Sequence, residues 1–182
     1  MDLTRIVFSG SGGQGVVTAS VILAEAAVIY SGLSAVQTQA YGPEARGGAT
    51  RADVIISESP IHFPKVLNPH ILICLTQEAY NKFAPIIRPG GLLLVDPQFV
   101  KIERKVEARQ RELEMFKAVM EEIGNSIVHN ICMLGVLIGF TDLVAVDSIR
   151  SVIEDRVPPD FKQMNRKALN VGLKLSEHYK QQ

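Results

Sequence analysis

The chain has 182 residues and a mass of 19.9 kDa, which suits one domain with a substantial buried core. Nineteen basic residues balance nineteen acidic residues, so no net charge attracts the chain to nucleic acid or to an anionic membrane. The longest apolar run, residues 127–140, is shorter than the roughly 20 residues that a membrane-spanning helix needs. We therefore expect a single domain over residues 1–182, with neither nucleic acid nor a membrane as its partner.

A glycine-rich loop follows the first predicted strand. Residues 4–8 are short, β-branched and apolar, as a buried strand is, and residues 16–30 are apolar at almost every position, which favours a helix. Between them, Gly10, Gly12 and Gly15 fit the pattern G-x-G-x-x-G, in which an anion can approach the positive end of the helix. The same loop would serve equally well as a tight turn that lets the helix pack close to the sheet.

The sequence argues against an ordinary dinucleotide site at this loop. Such a site needs an acidic residue about 20 positions on, at the end of the second strand, to hold the ribose. The second strand, predicted over residues 34–38, ends in Gln37-Thr38-Gln39, and Glu25 comes too early, inside the first helix. The loop keeps the capacity to bind a phosphate, whereas NAD is not expected.

A second loop, with neither a helical nor a strand period, comes after the second strand. Gly-Pro and Gly-Gly pairs punctuate its two ends as turns, and side chains that can pair with charge lie between them. A loop this rich in functional groups is more often a site than a linker; an exposed turn with incidental charges is the alternative. The loop comprises Tyr41, Gly42, Pro43, Glu44, Ala45, Arg46, Gly47 and Gly48.

Short apolar strands alternate with loops and one short helix as far as residue 96. Residues 70–75 form a nearly continuous apolar run, typical of a central strand buried on both faces. The alternation predicts an α/β fold, a Rossmann-like domain whose mostly parallel sheet carries helices on both faces. The other predicted elements are strands over residues 52–57 and 92–95 and a helix over residues 77–83.

The C-terminal part of the chain is predicted to be mainly helical. Propensity favours a helix over residues 107–123, although alternation at residues 113–117 also allows a strand. Residues 127–140 follow as a helix that is apolar nearly all round, and its Gly135 and Gly139 would let another backbone approach closely.

Two further helices are predicted at the C-terminus. Asp147 is expected to cap a short helix that extends to residue 155, and Asp160 with Gln163 resembles a capping box for the last helix. Apolar residues three or four apart predict the core-facing stripe of that last helix: Phe161, Met164, Ala168, Val171 and Leu175.

Several kinds of catalytic and cofactor motif are missing from the sequence. It contains no C-x-x-C pair, no G-x-S-x-G and no metal-ligand spacing among its four histidines, so we expect no metal, iron–sulfur cluster or catalytic residue of its own. Cys74 and Cys132 lie far apart in apolar segments, as reduced core thiols do. No signal peptide is evident, and we expect a cytoplasmic protein.

The two loops together resemble the gamma subunit of 2-oxoacid:ferredoxin oxidoreductases, a resemblance that covers nearly the whole chain. It is carried by residues 10–15, 41–48 and 52–57 and, later in the chain, by Gly124, Asn125, Asn130, Leu134 and Gly135. The resemblance implies a multi-subunit enzyme that decarboxylates a 2-oxoacid, transfers the acyl group to coenzyme A and reduces ferredoxin. It also implies that thiamine diphosphate and iron–sulfur clusters lie on alpha, beta and, in some complexes, delta subunits, and that gamma binds no cofactor alone.

Together with the resemblance, the residues of the two loops suggest a specific role for each loop. The first is expected to hold a phosphate of coenzyme A, as a ligand shared with the complex, through Gly10, Gly12, Gly13, Gln14 and Gly15. The second is expected to dock against the alpha or beta subunit, through Tyr41, Gly42, Pro43, Glu44, Arg46, Gly47 and Gly48. The resemblance favours 2-oxoglutarate as substrate, followed by branched-chain oxoacids and pyruvate. A free-standing nucleotide-binding enzyme and a non-enzymatic binding module are the alternatives.

Overall fold

The computed structural model describes residues 3–39 and 48–180. Its strands form one six-stranded sheet in the order β2-β3-β1-β4-β5-β6. All neighbouring strands from β1 through β4 and β5 to β6 are parallel, and β3 runs antiparallel to both β1 and β2. The strands are β1 (Thr4–Gly10), β2 (Ser34–Gln39), β3 (Thr50–Ser57), β4 (Ile71–Cys74), β5 (Leu92–Val95) and β6 (Arg109–Glu112).

Helices cover both faces of this sheet, as predicted. One face packs against α1, α3, α4, α5 and α6, and the other packs against α2 and the irregular segments around it. The central strand β4 is buried on both faces, with Ile71 and Ile73 on one side and Leu72 and Cys74 on the other. The helices are α1 (Val16–Glu25, continued by one π-helical turn Ala26–Tyr30), α2 (Gln77–Phe83), α3 (Met115–Glu122), α4 (His129–Thr141), α5 (Val146–Arg156) and α6 (Pro159–Lys180).

Glycines bring α4 and α6 into backbone contact. A Cβ atom added to Gly135 would lie 2.4 Å from the carbonyl oxygen of Leu169, and one added to Gly172 would lie 2.0 Å from the carbonyl oxygen of Cys132. Gly139 would collide with Ser176 in the same way. The glycine spacing predicted from the sequence therefore serves packing between two helices of the core.

The charged region before α3 differs from the helix predicted over residues 107–123. Residues 109–112 form the edge strand β6, and the helix begins only at Met115. The backbone of Arg109–Glu112 pairs in register with Leu92–Val95 of β5, and this pairing outweighs a helix propensity of a few tenths of a kcal/mol per residue. Leu113, which follows the strand, is fully buried.

Two predicted helix caps are also wrong. Helix α5 begins after Ala145 without a side-chain cap, and Asp147 lies in its first turn. Helix α6 begins at Pro159, so Asp160 lies inside its first turn instead of capping it. Proline suits the first helical position because its missing N–H would have no helical acceptor there. The predicted stripe of α6 is buried at Ala168 and Val171, whereas Phe161 is exposed.

The two cysteines are buried free thiols, as predicted. Burial is the main cause that raises the pKa of Cys74 and that of Cys132 to about 12. Both side chains therefore act as small apolar groups of the core. Among the helices in the described ranges, none combines the length and the apolar character required to cross a membrane.

Candidate functional site

The glycine loop lies where the direction of chain progression across the sheet changes. From β1 the chain proceeds to β2 and β3 on one side, whereas β4 leads to β5 on the other side. Open α/β sheets bind ligands at the carboxyl ends of strands that flank such a point. The loop leaves β1 at that edge, and its Gly13 and Gly15 adopt φ angles of 87° and 72°, which glycine tolerates best.

The Gln14 side chain braces the loop from inside. Its Oε1 accepts a hydrogen bond from the Ser11 N–H at 2.8 Å, and its Nε2 donates to the carbonyl oxygen of Leu75, just after β4, at 3.4 Å. A Cβ atom added to Gly10 would lie 2.4 Å from Gln14 Oε1. Gln14 therefore fixes the loop to the neighbouring strand, a role that the glycine pattern alone does not reveal.

The start of α1 presents backbone donors. The Ala19 N–H donates to the carbonyl oxygen of Gly15 at 3.0 Å, so the amides of residues 16–18 come before the first helical hydrogen bond. Gly15 provides no side-chain cap, and the first turn contains no acidic residue. Backbone amides and the positive end of the helix dipole together form an arrangement that binds anions.

Helix α4 contacts the loop through Asn130. The Asn130 Nδ2 donates to the carbonyl oxygen of Gly15 at 3.3 Å, and a Cβ atom on Gly15 would lie 2.5 Å from that nitrogen. Asn130 is in the first turn of α4 and is largely buried. The N-terminal ends of α1 and α4 therefore meet at Gly15.

A buried carboxylate, Asp96, lies after β5 at the same edge of the sheet. Its Oδ1 accepts from the Gln98 N–H at 2.9 Å, and its Oδ2 accepts from the Phe116 N–H at 2.7 Å. The same Oδ2 lies 3.2 Å from Nε2 of His129, which donates in the tautomer that carries its proton there. Asp96 is fully buried and His129 is 6% exposed, so a buried acid holds a nearly buried imidazole.

A cavity of about 410 Å³ joins the glycine loop to this pair. Phe99 and Phe116 pack edge to face, with ring centroids 5.1 Å apart, and each ring also lies about 6 Å from the imidazole of His129. The cavity is lined by Gly13, Gln14, Phe99, Phe116, Asn125, Ser126, Ile127 and His129. It thus combines backbone donors, one titratable side chain and an aromatic wall.

The structure brings together the residues predicted for the first loop. Gly10 is the last residue of β1, and Gly12, Gly13, Gln14 and Gly15 lie between β1 and α1. Of the residues predicted for the second loop only Gly48 is described, and Tyr41, Gly42, Pro43, Glu44, Arg46 and Gly47 lie outside the described residues.

The ends of the second loop are nevertheless placed by the strands that flank it. Strand β2 ends at Gln39 and β3 begins at Thr50, and the Thr50 Oγ1 donates to the carbonyl oxygen of Gly10 at 3.0 Å. Gly10 and Thr50 are also paired in the sheet. Both loops therefore depart from one edge of the sheet.

Asp96 and His129 are site residues that the sequence did not identify. A signal for each is present, since Asp96 directly follows an apolar strand and His129 interrupts the apolar run of residues 127–140. The two residues lie 33 positions apart, and neither signal says that they meet.

Replacing Asp96 by alanine should destabilise the chain by about 3 kcal/mol. The variant leaves two backbone N–H groups and the His129 ring without their acceptor, and a buried unsatisfied group costs roughly 1–3 kcal/mol. Urea unfolding followed by circular dichroism measures the change. As a control, Asp147→Ala removes an exposed carboxylate that pairs with Arg150 and should stay within about 0.5 kcal/mol. Equal losses in the two variants would contradict the assigned role.

Comparison with protein families gives a match to pyruvate ferredoxin/flavodoxin oxidoreductase over residues 5–175. The 2-oxoglutarate synthase subunit KorC of Methanocaldococcus jannaschii is 43% identical over 175 residues, which cover 95% of this chain and 94% of that protein.

Solved structures show the same relationship. The gamma subunit of a keto/oxoacid ferredoxin oxidoreductase from Geobacter sulfurreducens superposes with a TM-score of 0.87 and 38% identity, covering 96% of this chain and 99% of that one. A 2-oxoglutarate:ferredoxin oxidoreductase from Magnetococcus marinus shares the fold, with a TM-score of 0.86 and 18% identity over 98% of this chain and 32% of that longer chain. The chain therefore belongs to the pyruvate ferredoxin/flavodoxin oxidoreductase family, and it is a gamma subunit of the 2-oxoacid:ferredoxin oxidoreductase type.

Proposed function

We propose that this chain is the gamma subunit of a 2-oxoglutarate synthase. The observation that carries the proposal is the 43% identity to a 2-oxoglutarate synthase subunit along nearly the full length of both chains. Such a complex would convert 2-oxoglutarate and coenzyme A into succinyl-coenzyme A and carbon dioxide, with two electrons passing to ferredoxin. Alpha, beta and, where present, delta subunits would carry thiamine diphosphate and iron–sulfur clusters, and the complex would work in the cytoplasm.

The complex purified anaerobically from its own cells should reduce a viologen dye when it receives 2-oxoglutarate and coenzyme A. Pyruvate and 2-oxoisovalerate should each give at least about 10-fold lower kcat/KM, a difference of roughly 1.4 kcal/mol in transition-state stabilisation. Equal or greater activity with either competitor would overturn the substrate assignment. Recovery of the chain as a colourless species of 19.9 kDa would overturn the assignment to a complex.

The glycine loop is proposed to hold a phosphate group of coenzyme A. Three features support this role: the amides at the start of α1, the glycine backbone that leaves room for an approaching anion, and the lack of an acidic side chain in the first turn of that helix. Gly13 lines the cavity, and, apart from its two chain neighbours, no atom of the described residues lies within 4 Å of a Cβ atom placed on it. A phosphate can therefore reach the loop from the cavity.

The other cavity residues would fix the pocket around the ligand. Asp96 orients the imidazole of His129, and Asn130 holds Gly15. Phe99 and Phe116 pack against the imidazole of His129, and their apolar rings lower the local dielectric and would strengthen hydrogen bonds from the backbone amides. These residues are positioning groups, and the bond-making chemistry would belong to the partner subunits.

Gly13→Asp should raise the KM for coenzyme A about 10-fold in the assembled complex. A carboxylate about 6 Å from a phosphate costs roughly 0.7–3 kcal/mol, depending on the effective dielectric constant. Gly13→Asn is the matched control, because it has nearly the same shape and the same strain at a φ of 87° but carries no charge. The ratio of the two KM values reports the electrostatic effect. A ratio near one would show that the phosphate does not bind at this loop.

The second loop is proposed to dock against the alpha or beta subunit beside the thiamine site. Strand β3, which follows this loop, begins next to Gly10, so a partner that contacts Tyr41, Glu44 and Arg46 would also cover the glycine loop. A shared boundary of this kind would bring coenzyme A to the place where the acyl group forms.

Arg46→Ala should weaken assembly, because it removes a guanidinium that can form bidentate hydrogen bonds with a partner carboxylate. The measurement is the fraction of tagged chain that co-purifies with the other subunits, and we expect it to fall at least about 10-fold at limiting concentration, as the loss of one charge-assisted hydrogen bond implies. Lys174→Ala, on an exposed face of α6, is the control. Unchanged assembly of the Arg46 variant would exclude this role.

A further inference from the structure

A second and larger cavity, of about 780 Å³, lies at the opposite edge of the sheet from the glycine loop. Its walls come from the starts of the parallel strands and from the C-terminal ends of α4 and α6. The residues around it are Thr4, His70, Ile71, Arg88, Pro89, Gly90, Gly91, Leu92, Arg109, Arg111, Phe140, Thr141, Leu143, Tyr179 and Lys180. Three arginines and a lysine are present, and none of the lining residues within the described ranges 3–39 and 48–180 carries a carboxylate.

The arginines of this cavity differ from four others on the chain, whereas Arg5 and Arg104, among the described residues outside the cavity, also form no ion pair. Arg51, Arg150, Arg156 and Arg166 each form an ion pair with an aspartate or glutamate. Within the described part of the chain, Arg88, Arg109 and Arg111 form no such pair, and the one side-chain hydrogen bond of Arg111 goes to a backbone carbonyl oxygen. Three arginines without an acidic partner therefore line one cavity, although basic and acidic residues balance over the whole chain.

The sheet register explains why two of these cations act together. Arg109 and Arg111 are two positions apart on the edge strand β6, so their side chains leave the same face. They are paired with Leu92 and Leu94 of β5, which face the helical layer that contains α4 and α6. Arg88 approaches from the turn before β5, and so the three guanidinium groups surround one opening.

The electrostatic balance at this edge is positive. Helices α4 and α6 end at the cavity, and each helix C-terminus contributes about −0.5 charge. Lys180 is partly neutralised by Asp142, 3.6 Å away. Among the described groups named here, three unpaired arginines and two helix ends together give a charge of about +2. Consistent with this, burial and then the charges of Arg88 and Arg5 lower the pKa of His70.

The floor of the cavity is apolar, unlike its rim. Ile71, Leu92 and Leu143 are buried there, and the half-buried rings of Phe140 and Tyr179 form one wall. A pocket of several hundred cubic ångströms, with an apolar floor and a few convergent charged groups, is the usual form of a small-molecule site. Inorganic phosphate would contact only the charged side chains of the rim and would not cover the apolar floor.

From these features we propose that the amino edge of the sheet binds a small organic polyanion. The ligand would carry at least two phosphate or carboxylate groups, held by Arg88 and by the Arg109–Arg111 pair, on a body with an apolar or aromatic face that packs against Phe140 and Tyr179. Guanidinium groups suit this task because their planar donors bind phosphate and carboxylate bidentately. This site is separate from the glycine loop and does not depend on the function proposed for that loop.

The test uses ATP without divalent metal as a probe polyanion, titrated calorimetrically into the full-length chain at low salt. We expect saturable binding with a Kd on the order of 100 µM. Arg88→Gln and the double variant Arg109→Gln with Arg111→Gln should each weaken it at least about 10-fold, because a hydrogen bond to a charged group contributes roughly 1.5–3 kcal/mol. Arg150→Gln, which changes an exposed arginine on α5, should leave the Kd unchanged.

Four results would overturn the proposal, and the fourth comes from Gly13→Asp. The first is the absence of saturable ATP binding, and the second is a Kd that neither cavity variant changes. The third is equally tight binding of pyrophosphate, which would show that the apolar floor contributes nothing and that the ligand is inorganic. Gly13→Asp separates the two cavities: ATP binding that survives this substitution supports the arginine site, and ATP binding that it abolishes assigns the probe to the glycine loop instead.

Discussion

The buried carboxylate of Asp96 is the constraint on which the geometry of the carboxyl edge depends. It accepts hydrogen bonds from the chain that leaves β5, from the first turn of α3 and from His129 at the start of α4. A carboxylate removed from water requires all of these donors, because burying it without them would cost several kcal/mol. Three segments that are distant in sequence are therefore held in one arrangement, and the cavity takes its shape from them.

The contact between α4 and α6 affects how closely α4 packs against the sheet. With no side chain at Gly135 or Gly172, the two helix backbones touch, and α4 can settle against the sheet with its first turn directed at the glycine loop. His129 and Asn130 are in that first turn and meet Asp96 and Gly15. The helix that carries these two groups is thus the same helix that packs backbone to backbone against α6.

The sequence predicts those parts of the molecule whose structure depends on residues that are close in sequence. The glycine loop, with its apolar strand before it and its apolar helix after it, can be recognised within 27 residues, from residue 4 to residue 30. Strand β6 could not be predicted, because only pairing with β5 makes a strand of four charged and polar residues. The contact between Asp96 and His129 could not be predicted for a similar reason. The fold, and not a sequence motif, brings a residue after one strand to the start of a distant helix.

The two edges of a parallel sheet present different chemistry to an anion. Helices that connect parallel strands begin at the carboxyl edge and end at the amino edge. Anions at the carboxyl edge therefore meet backbone amides and positive helix ends, for which glycine is the useful residue because it lets a ligand approach. At the amino edge the helix ends are negative, so an anion site there must be built from side-chain cations. Glycines at one edge and unpaired arginines at the other are what these opposite fields would require if the chain binds anions at both edges, as we propose.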